Sequence, residues 1–453
     1  MAYHSLADFL EALGQAGELV RMEAPVEPEL EAAEAASRTV KSGGPAAIFP
    51  NVAGHDIPLL VNLLGTQSRV LRALGRKSLD EMAVEVEEWM HPPSPEGWFD
   101  KMQLAPPLAA LRKAAPKSVT TAACQQVVCL GRDVDLAALP ALQSAPRESG
   151  RTITAGQLFA REPGSSRRWV GRCDMRLVDR HCLAACWHPH DEPARFLLDY
   201  ARRKERMPLA LVLGGDPACL LAAMAPVPPG ADVCALAGLF RRKPVELVKC
   251  RTSDLEVPAD AEMVLEGYVD PGEPLVDAGL VATPSGSCRP CPASPQMHVT
   301  ALTHRANPIF PAMVPCEPPN EACVVHRVLV RAFLPLLRAA IPELVDCDLP
   351  MFGATRHWAL VSIRKTYAGQ AHRVASALQA MRPWMYAKVL VIVDDGVDVR
   401  DPDQVWSAVA RHADLGRDLI SARGPSDPWD PAAPPEPTTC RLAIDATKKK
   451  DEG

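Results

Sequence analysis

Apolar and polar positions recur with two different periods along this chain, and the changes of period divide it into three parts. From Ser5 the run LADFLEALGQAG puts Leu6, Phe9, Leu10 and Leu13 on one helical face. Ser5 suits the N-cap and Gly17 the end of that helix. ELVRMEAPV alternates as a strand does. A second helix is expected from Leu30 to Lys41, stopped by Gly43-Gly44-Pro45. AAIF and IPLLVN read as short strands, and helices follow over 67–74 and 78–89. This pattern predicts a small α/β domain over residues 1–115. The Pro-rich run from His91 to Pro95 closes it, and PPLAALRKAAP serves as connector.

From Ala123 the period shortens to two. CQQVVCLG, ITAGQLFARE, RRWVGRCDMRLV and HCLAACW are short β-like runs with polar breaks, which predict an antiparallel sheet or barrel over residues 116–318. One helix is expected inside it, from Glu192 to Lys204. PLALVLGGDPACLLAAMA reads as a buried strand, a turn and a helix, with Asp216 as N-cap. Strands VELVKC, MVLEGYV, HVTALTHR and PIFPAMV follow. Beyond residue 319 helical spacing returns. CVVHRVLVRAFLPLLRAAIP reads as one long helix, and the segments after it alternate strand and helix, which predicts a C-terminal α/β domain over 319–453. The Pro-rich stretch from Gly424 to Pro437 is expected to be extended.

Length and composition narrow the class. At 453 residues and 47% hydrophobic content the chain can bury several cores. A net charge of -6 with scattered Lys and Arg argues against a nucleic-acid partner. No apolar run is long enough for a membrane span, and the start has no secretory h-region, so a cytoplasmic protein is expected. Its 14 cysteines then read as reduced thiols, many of them in apolar surroundings.

Several runs together resemble the UbiD family, the prenylated-FMN-dependent (de)carboxylases of aromatic and unsaturated acids. They are LADFLEALGQAGELVRMEAPVEPELE, LVLGGDP, PVPPGADVCALAGLFRRKPVELVKCRTSDLEVPADAEMVLEG, MHVTALTHRANPIF, ALVSIRKTYAGQAHRV, VIVDDGVDVRDPDQVWSAV and IDATKK. They are collinear over nearly the whole chain. The resemblance implies a mixed α/β (α+β) fold in three parts: an N-terminal α/β domain, a central split β-barrel that binds the flavin, and a C-terminal α/β domain used in oligomerisation. It also implies prenylated FMN with a divalent metal, manganese or magnesium, and potassium at its phosphate. The metal would be held by an Asn, a His and a Glu, and an Arg and two Glu would form the acid–base network.

This chain departs from that set at every position. Trp169 stands for the Asn, Asp174 for the Arg, Cys186 for the His before Trp187, and Val233 for the metal-binding Glu. The catalytic pair reads Asp277 and Ala282. Val233 cannot ligate a metal and Ala282 cannot move a proton. Asp277 and Asp174 are the remaining candidates for chemistry. Pro226 and Pro228 resemble the turn along the flavin, and Lys388 the phosphate-contacting Lys; Lys388 reads equally as a solvated strand-end residue.

Other groupings are weaker. Cys288-Arg-Pro-Cys291 is a lone CxxC, open to a redox role, a metal site or neither. Cys173, Cys182, Cys186, His188 and His190 are close in sequence and could form a replacement metal site. Asp394 and Asp395 have the look of a metal pair but suit a strand end and turn better. His298, His304 and His326 have no interpretable spacing. Three functions remain open: a non-catalytic partner or regulatory subunit of a UbiD-type decarboxylase system, a re-tooled enzyme using Asp277, Asp174 or the cysteines, and a prenylated-FMN decarboxylase. A homo-oligomer, or a hetero-oligomer with an active paralogue, is the expected assembly.

Overall fold

The computed structural model describes residues 3–90, 114–433 and 437–449. The expected connector PPLAALRKAAP falls mostly outside the described residues, and the Pro-rich run from His91 to Pro95 lies wholly outside them. The first helix spans Leu6–Gln15, and the Ser5 side chain accepts a hydrogen bond from the Asp8 amide. Its apolar stripe of Leu6, Phe9, Leu10 and Leu13 is buried as the periodicity predicts. Strands Leu19–Arg21, Ala46–Phe49 and Leu59–Val61 follow in one sheet. The fourth strand of that sheet is Phe310–Ala312, which pairs in parallel with Leu59–Val61. The chain therefore returns to its first sheet after some 250 residues, and the first two parts share core.

The middle of the chain builds a nine-stranded sheet, antiparallel throughout and curled into a half-barrel. Its order is Thr152–Ile153, Met175–Leu177, Cys182–Ala185, Gln296–His304, Met263–Val269, Met207–Leu213, Gln157–Arg161, Arg168–Arg172, with Val127–Leu130 beside Gln296–His304. A bulge between Glu266 and Gly267 bends it. A Cβ on Gly267 would lie 2.0 Å from the His298 carbonyl oxygen, so only glycine allows the strands to approach there. Glu266, fully buried, accepts from the amides of Arg251 and Thr252 at 2.9 and 2.7 Å. That staples the turn after Glu246–Lys249 to the central strand.

Asp216 caps helix Pro217–Met224, accepting from the Ala218 amide. Asp232 caps a helix over Val233–Arg241, accepting from the Cys234 and Ala235 amides. The apolar pattern does not predict this second helix. It is only nine residues long and follows a Pro-rich turn. The expected long helix after residue 320 is two helices, Glu321–Ala332 and Leu334–Ala340. Pro335 has no amide proton to continue the first helix, and the chain breaks at Phe333.

The C-terminal part is a five-stranded sheet in the order Leu344–Asp348, Trp358–Ile363, Val389–Asp394, Thr438–Asp445, Leu419–Pro425. Helices Gln370–Gln379 and Pro402–His412 lie in separate apolar clusters with it. The strand Leu419–Pro425 reaches into the stretch expected only to be extended, and Thr438–Asp445 begins directly after it. Asp394 sits at a strand end and accepts from the Lys448 amide. Among the described residues no helix is long and apolar enough to cross a membrane.

Phe310 is fully buried on the strand that returns to the first sheet. Phe310→Ala is expected to lower stability by about 3–5 kcal/mol. Urea unfolding followed by circular dichroism checks this; a change below about 1 kcal/mol would show that the returning strand contributes little to the shared core.

Candidate functional site

A cavity of about 210 Å³ lies between the half-barrel and the C-terminal part. The strand Arg168–Arg172 and the segment after it supply Trp169, Arg172 and Asp174. The segment after Cys182–Ala185 supplies Cys186 and His188, and the end of Pro217–Met224 leads into Pro226. Helix Glu321–Ala332 crosses beneath with His326. From the C-terminal part come Arg356, Arg382, Tyr386 and Trp429. The volume is below the roughly 300–1,000 Å³ usual for organic-ligand pockets.

Trp169 narrows the inner wall. Its ring folds over Gly171, where a Cβ would meet Trp169 Cζ2 at 2.5 Å. Each guanidinium lining the cavity already faces a carboxylate. Arg172 Nη2 donates to Asp174 Oδ1 at 2.7 Å. Arg356 Nε and Nη2 donate to Asp427 Oδ2 and Oδ1 at 2.7 and 2.8 Å. Arg382 is paired with Asp191. Burial opposes ionisation of Asp427, but Arg356, with His357, overrides it and holds the carboxyl far below the usual range. Burial also opposes ionisation of Asp191, and Arg382 overcomes it. At Asp174 burial wins over Arg172, and the carboxyl is raised.

The two imidazoles are neutral. His188 Nε2 accepts from Arg356 Nη2 at 3.3 Å, so its proton sits on Nδ1, which has no partner among the described residues. Burial, helped by the Arg356 charge, pushes His188 down to about 4. Burial and the charges of Arg356 and Arg172 push His326 down to about 3. Arg356 is held between two rings, 4.3 Å from the Tyr386 centroid and 4.6 Å from that of Trp429.

The structure thus brings Trp169, Cys173, Asp174, Cys186, His188 and Pro226 to one cavity, with His326 below them, and leaves Pro228, Val233, Asp277, Ala282 and Lys388 outside its lining. Val233 is the first residue of its helix and packs against the first core. Asp277 is exposed and accepts from the Gly279 amide at 2.8 Å. Ala282 pairs with Cys288 in a two-stranded ribbon. Lys388 Nζ donates to Asp430 Oδ1 at 2.9 Å, one residue from Trp429. No group of three or more His, Cys, Asp or Glu side chains among the described residues could hold a metal ion. Sequence reasoning missed Arg356, Tyr386, Trp429 and Asp427. Asp427 and Trp429 lie in the Pro-rich tail, and Arg356 meets them from some 70 residues away, a separation that local pattern does not carry. It also passed over His326, which has no ligand spacing but sits on the helix below the cavity.

The unfolded chain binds protons on His188 and His326 near pH 6.5, whereas the folded chain resists until about 4 and 3. Stability is complete above pH 6.5 and falls as pH drops towards 4, by about 3 kcal/mol for His188 alone. Urea midpoints measured across this range are expected to slope downward with acid. His188→Gln should flatten the slope; an unchanged slope would place the acid sensitivity elsewhere.

Three family models match the chain. Residues 10–86 match the 3-octaprenyl-4-hydroxybenzoate carboxy-lyase N-terminal domain, 117–318 its Rift-related domain and 323–446 its C-terminal domain, all named UbiD. An uncharacterized protein of Aquifex aeolicus (strain VF5) is 37% identical over 454 residues, covering 100% of this chain and 93% of its own length. The UbiD-class enzyme HmfF of Pelotomaculum thermopropionicum, solved with FMN, is 27% identical at a TM-score of 0.81, covering 99% of this chain and 95% of that one. The vanillic acid decarboxylase of Sedimentibacter hydroxybenzoicus in its closed form shares the fold at a TM-score of 0.88 and 23% identity, covering 100% of this chain and 94% of that one.

Proposed function

This chain belongs to the UbiD carboxy-lyase family, and from that premise we propose that it is a member with a degenerate decarboxylase site, acting as a non-catalytic partner or regulatory subunit of a UbiD-type decarboxylase system. The observation that carries this reading is the internal neutralisation of the cavity. A flavin phosphate needs cationic or metal partners, and burying it without them is costly. Arg172, Arg356 and Arg382 are each matched by an aspartate, and both imidazoles are neutral. The residues at the family's metal positions are an indole, a thiol and an isopropyl group, a poor donor set for manganese or magnesium. The chain's residues therefore do not fit prenylated FMN with its metal and potassium in the family's mode, and no catalytic step is assigned to Asp277 or Ala282.

The partner half of the reading is supported by an aromatic ladder on the C-terminal part. Phe352 and Trp406, 53% and 43% exposed, flank Trp358 with ring centroids 5.5 and 5.9 Å apart. Exposed aromatics in contact suit docking against a second copy or a paralogue. A second reading, a re-tooled enzyme, is favoured by Asp174 alone, whose burial-raised carboxyl lines the cavity.

Co-expression with a flavin prenyltransferase, followed by absorption spectroscopy and metal analysis, tests the first half. The expected product lacks a stoichiometric flavin; one prenylated flavin with one manganese per chain would overturn the degenerate-site reading. Trp406→Asp is expected to lower the assembly's mass in light scattering while the circular dichroism spectrum is kept. An unchanged mass would remove the ladder from the interface.

A further inference from the structure

Cys288 and Cys291 form the chain's CxxC, yet the fold separates their sulfurs. Three positions apart on an extended segment, their side chains leave on opposite sides. Cys288 is half-buried beside Arg147 and Glu148. Cys291 is buried in a small cluster with Cys186, Ala184, Ala278 and Val281. Cys186 comes from the segment after strand Cys182–Ala185, and it lines the cavity. Two segments distant in sequence thus deliver two buried thiols to one five-residue cluster, where Cys186 Sγ donates to the Ala184 carbonyl at 3.8 Å and faces the cavity that Cys291 stands behind.

We propose that Cys186 and Cys291 are an oxidisable dithiol at the cavity wall, which takes small hydroperoxides as oxidant and closes to an intramolecular disulfide.

The two sulfurs have different surroundings. The Cys186 thiol beside it favours ionisation of Cys291, against its burial, and Ser294 and Arg176 add to it while Asp174 opposes. Ser294 Oγ stands 3.4 Å from Cys291 Sγ and donates to the Pro292 carbonyl at 2.7 Å, so its proton can turn to the sulfur as the thiolate forms. Cys186 is pushed the other way, first by the neighbouring Cys291 and then by burial. Cys291 is therefore the attacking thiolate and Cys186 the resolving thiol. The Cys291 thiolate attacks the terminal peroxide oxygen and the O–O bond breaks, giving a sulfenic acid and hydroxide, or an alkoxide from an alkyl hydroperoxide, which takes a proton to leave as water or alcohol. Cys186 then attacks the sulfenic sulfur. The S–S bond forms, and the hydroxyl leaves with the Cys186 proton as water. Two thiols are oxidised by two electrons and one peroxide is reduced. Cys173 is the nearest rival; it is buried with its sulfur 3.7 Å from Met175 Sδ. This chemistry stands whether or not the cavity takes a flavin.

The test uses the full chain in a Cys440→Ser background, since Cys440 is the exposed thiol among the described residues. The protein is treated with hydrogen peroxide, denatured, alkylated and mapped by peptide mass spectrometry. The expected result is a linked Cys186–Cys291 peptide, with an at least tenfold loss of alkylation at both positions that dithiothreitol reverses. Cys288→Ser should leave the link intact. Cys186→Ser, or Cys186→Ala if the first folds poorly, should leave Cys291 as a sulfenic acid that dimedone traps. A Cys288–Cys291 or Cys173–Cys186 link, or full alkylation of Cys186 and Cys291 after peroxide, would overturn the proposal.

Discussion

A guanidinium almost withdrawn from water, Arg356, holds the two halves of the cavity together. Its side chain is 12% exposed, and two nitrogens are spent on Asp427. A third interaction runs to His188, on the half-barrel side, and Tyr386 and Trp429 cover its faces. A charge buried this deeply is tolerable only when fully matched, and removing one partner of such a pair typically costs about 3–5 kcal/mol. The geometry of the C-terminal loops over the cavity depends on this match. The neutrality of His188 comes first from its burial, and the Arg356 cation beside the ring adds to it.

That constraint underlies the proposal that the site is closed to an anionic cofactor. Arg356, Arg382 and Arg172 bring positive charge to the place where a phosphate would need it, but each arrives with its own aspartate. A phosphate would have to break an existing bidentate pair or enter uncompensated. Trp169 and the modest volume act in the same direction. The fold is retained because it rests on other contacts: the Glu266 staple, the caps at Asp216 and Asp232, and the strand Phe310–Ala312 returning to the first sheet. Fold and site are separable in this way because the side chains that specify each are different.

Much of that scaffold was legible beforehand because it is local. Ser5 and Leu6 to Leu13 announce a helix within a few residues of each other, and VELVKC and MVLEGYV each announce a strand. What escaped was written over long separations or against local preference. The break at Phe333 needed Pro335 to outweigh an otherwise continuous apolar face. The strand Thr438–Asp445 is recognisable only from its neighbours Val389–Asp394 and Leu419–Pro425. The substituted positions Trp169, Asp174 and Cys186 could be picked out by resemblance, and they do share a cavity. Asp174 finds Arg172 two residues away, but the meeting of Arg356 with Asp427 and His188, and of Cys186 with Cys291, follows from packing, which no spacing rule encodes.

Calorimetric titration of the purified protein with FMN and manganese tests the central claim most directly, since FMN presents the same phosphate as its prenylated form. Internal neutralisation predicts no saturable heat, with any affinity at about 1 mM or weaker. A one-to-one isotherm with a Kd near about 1 μM would contradict it, because the aspartates would then have yielded the arginines to the phosphate.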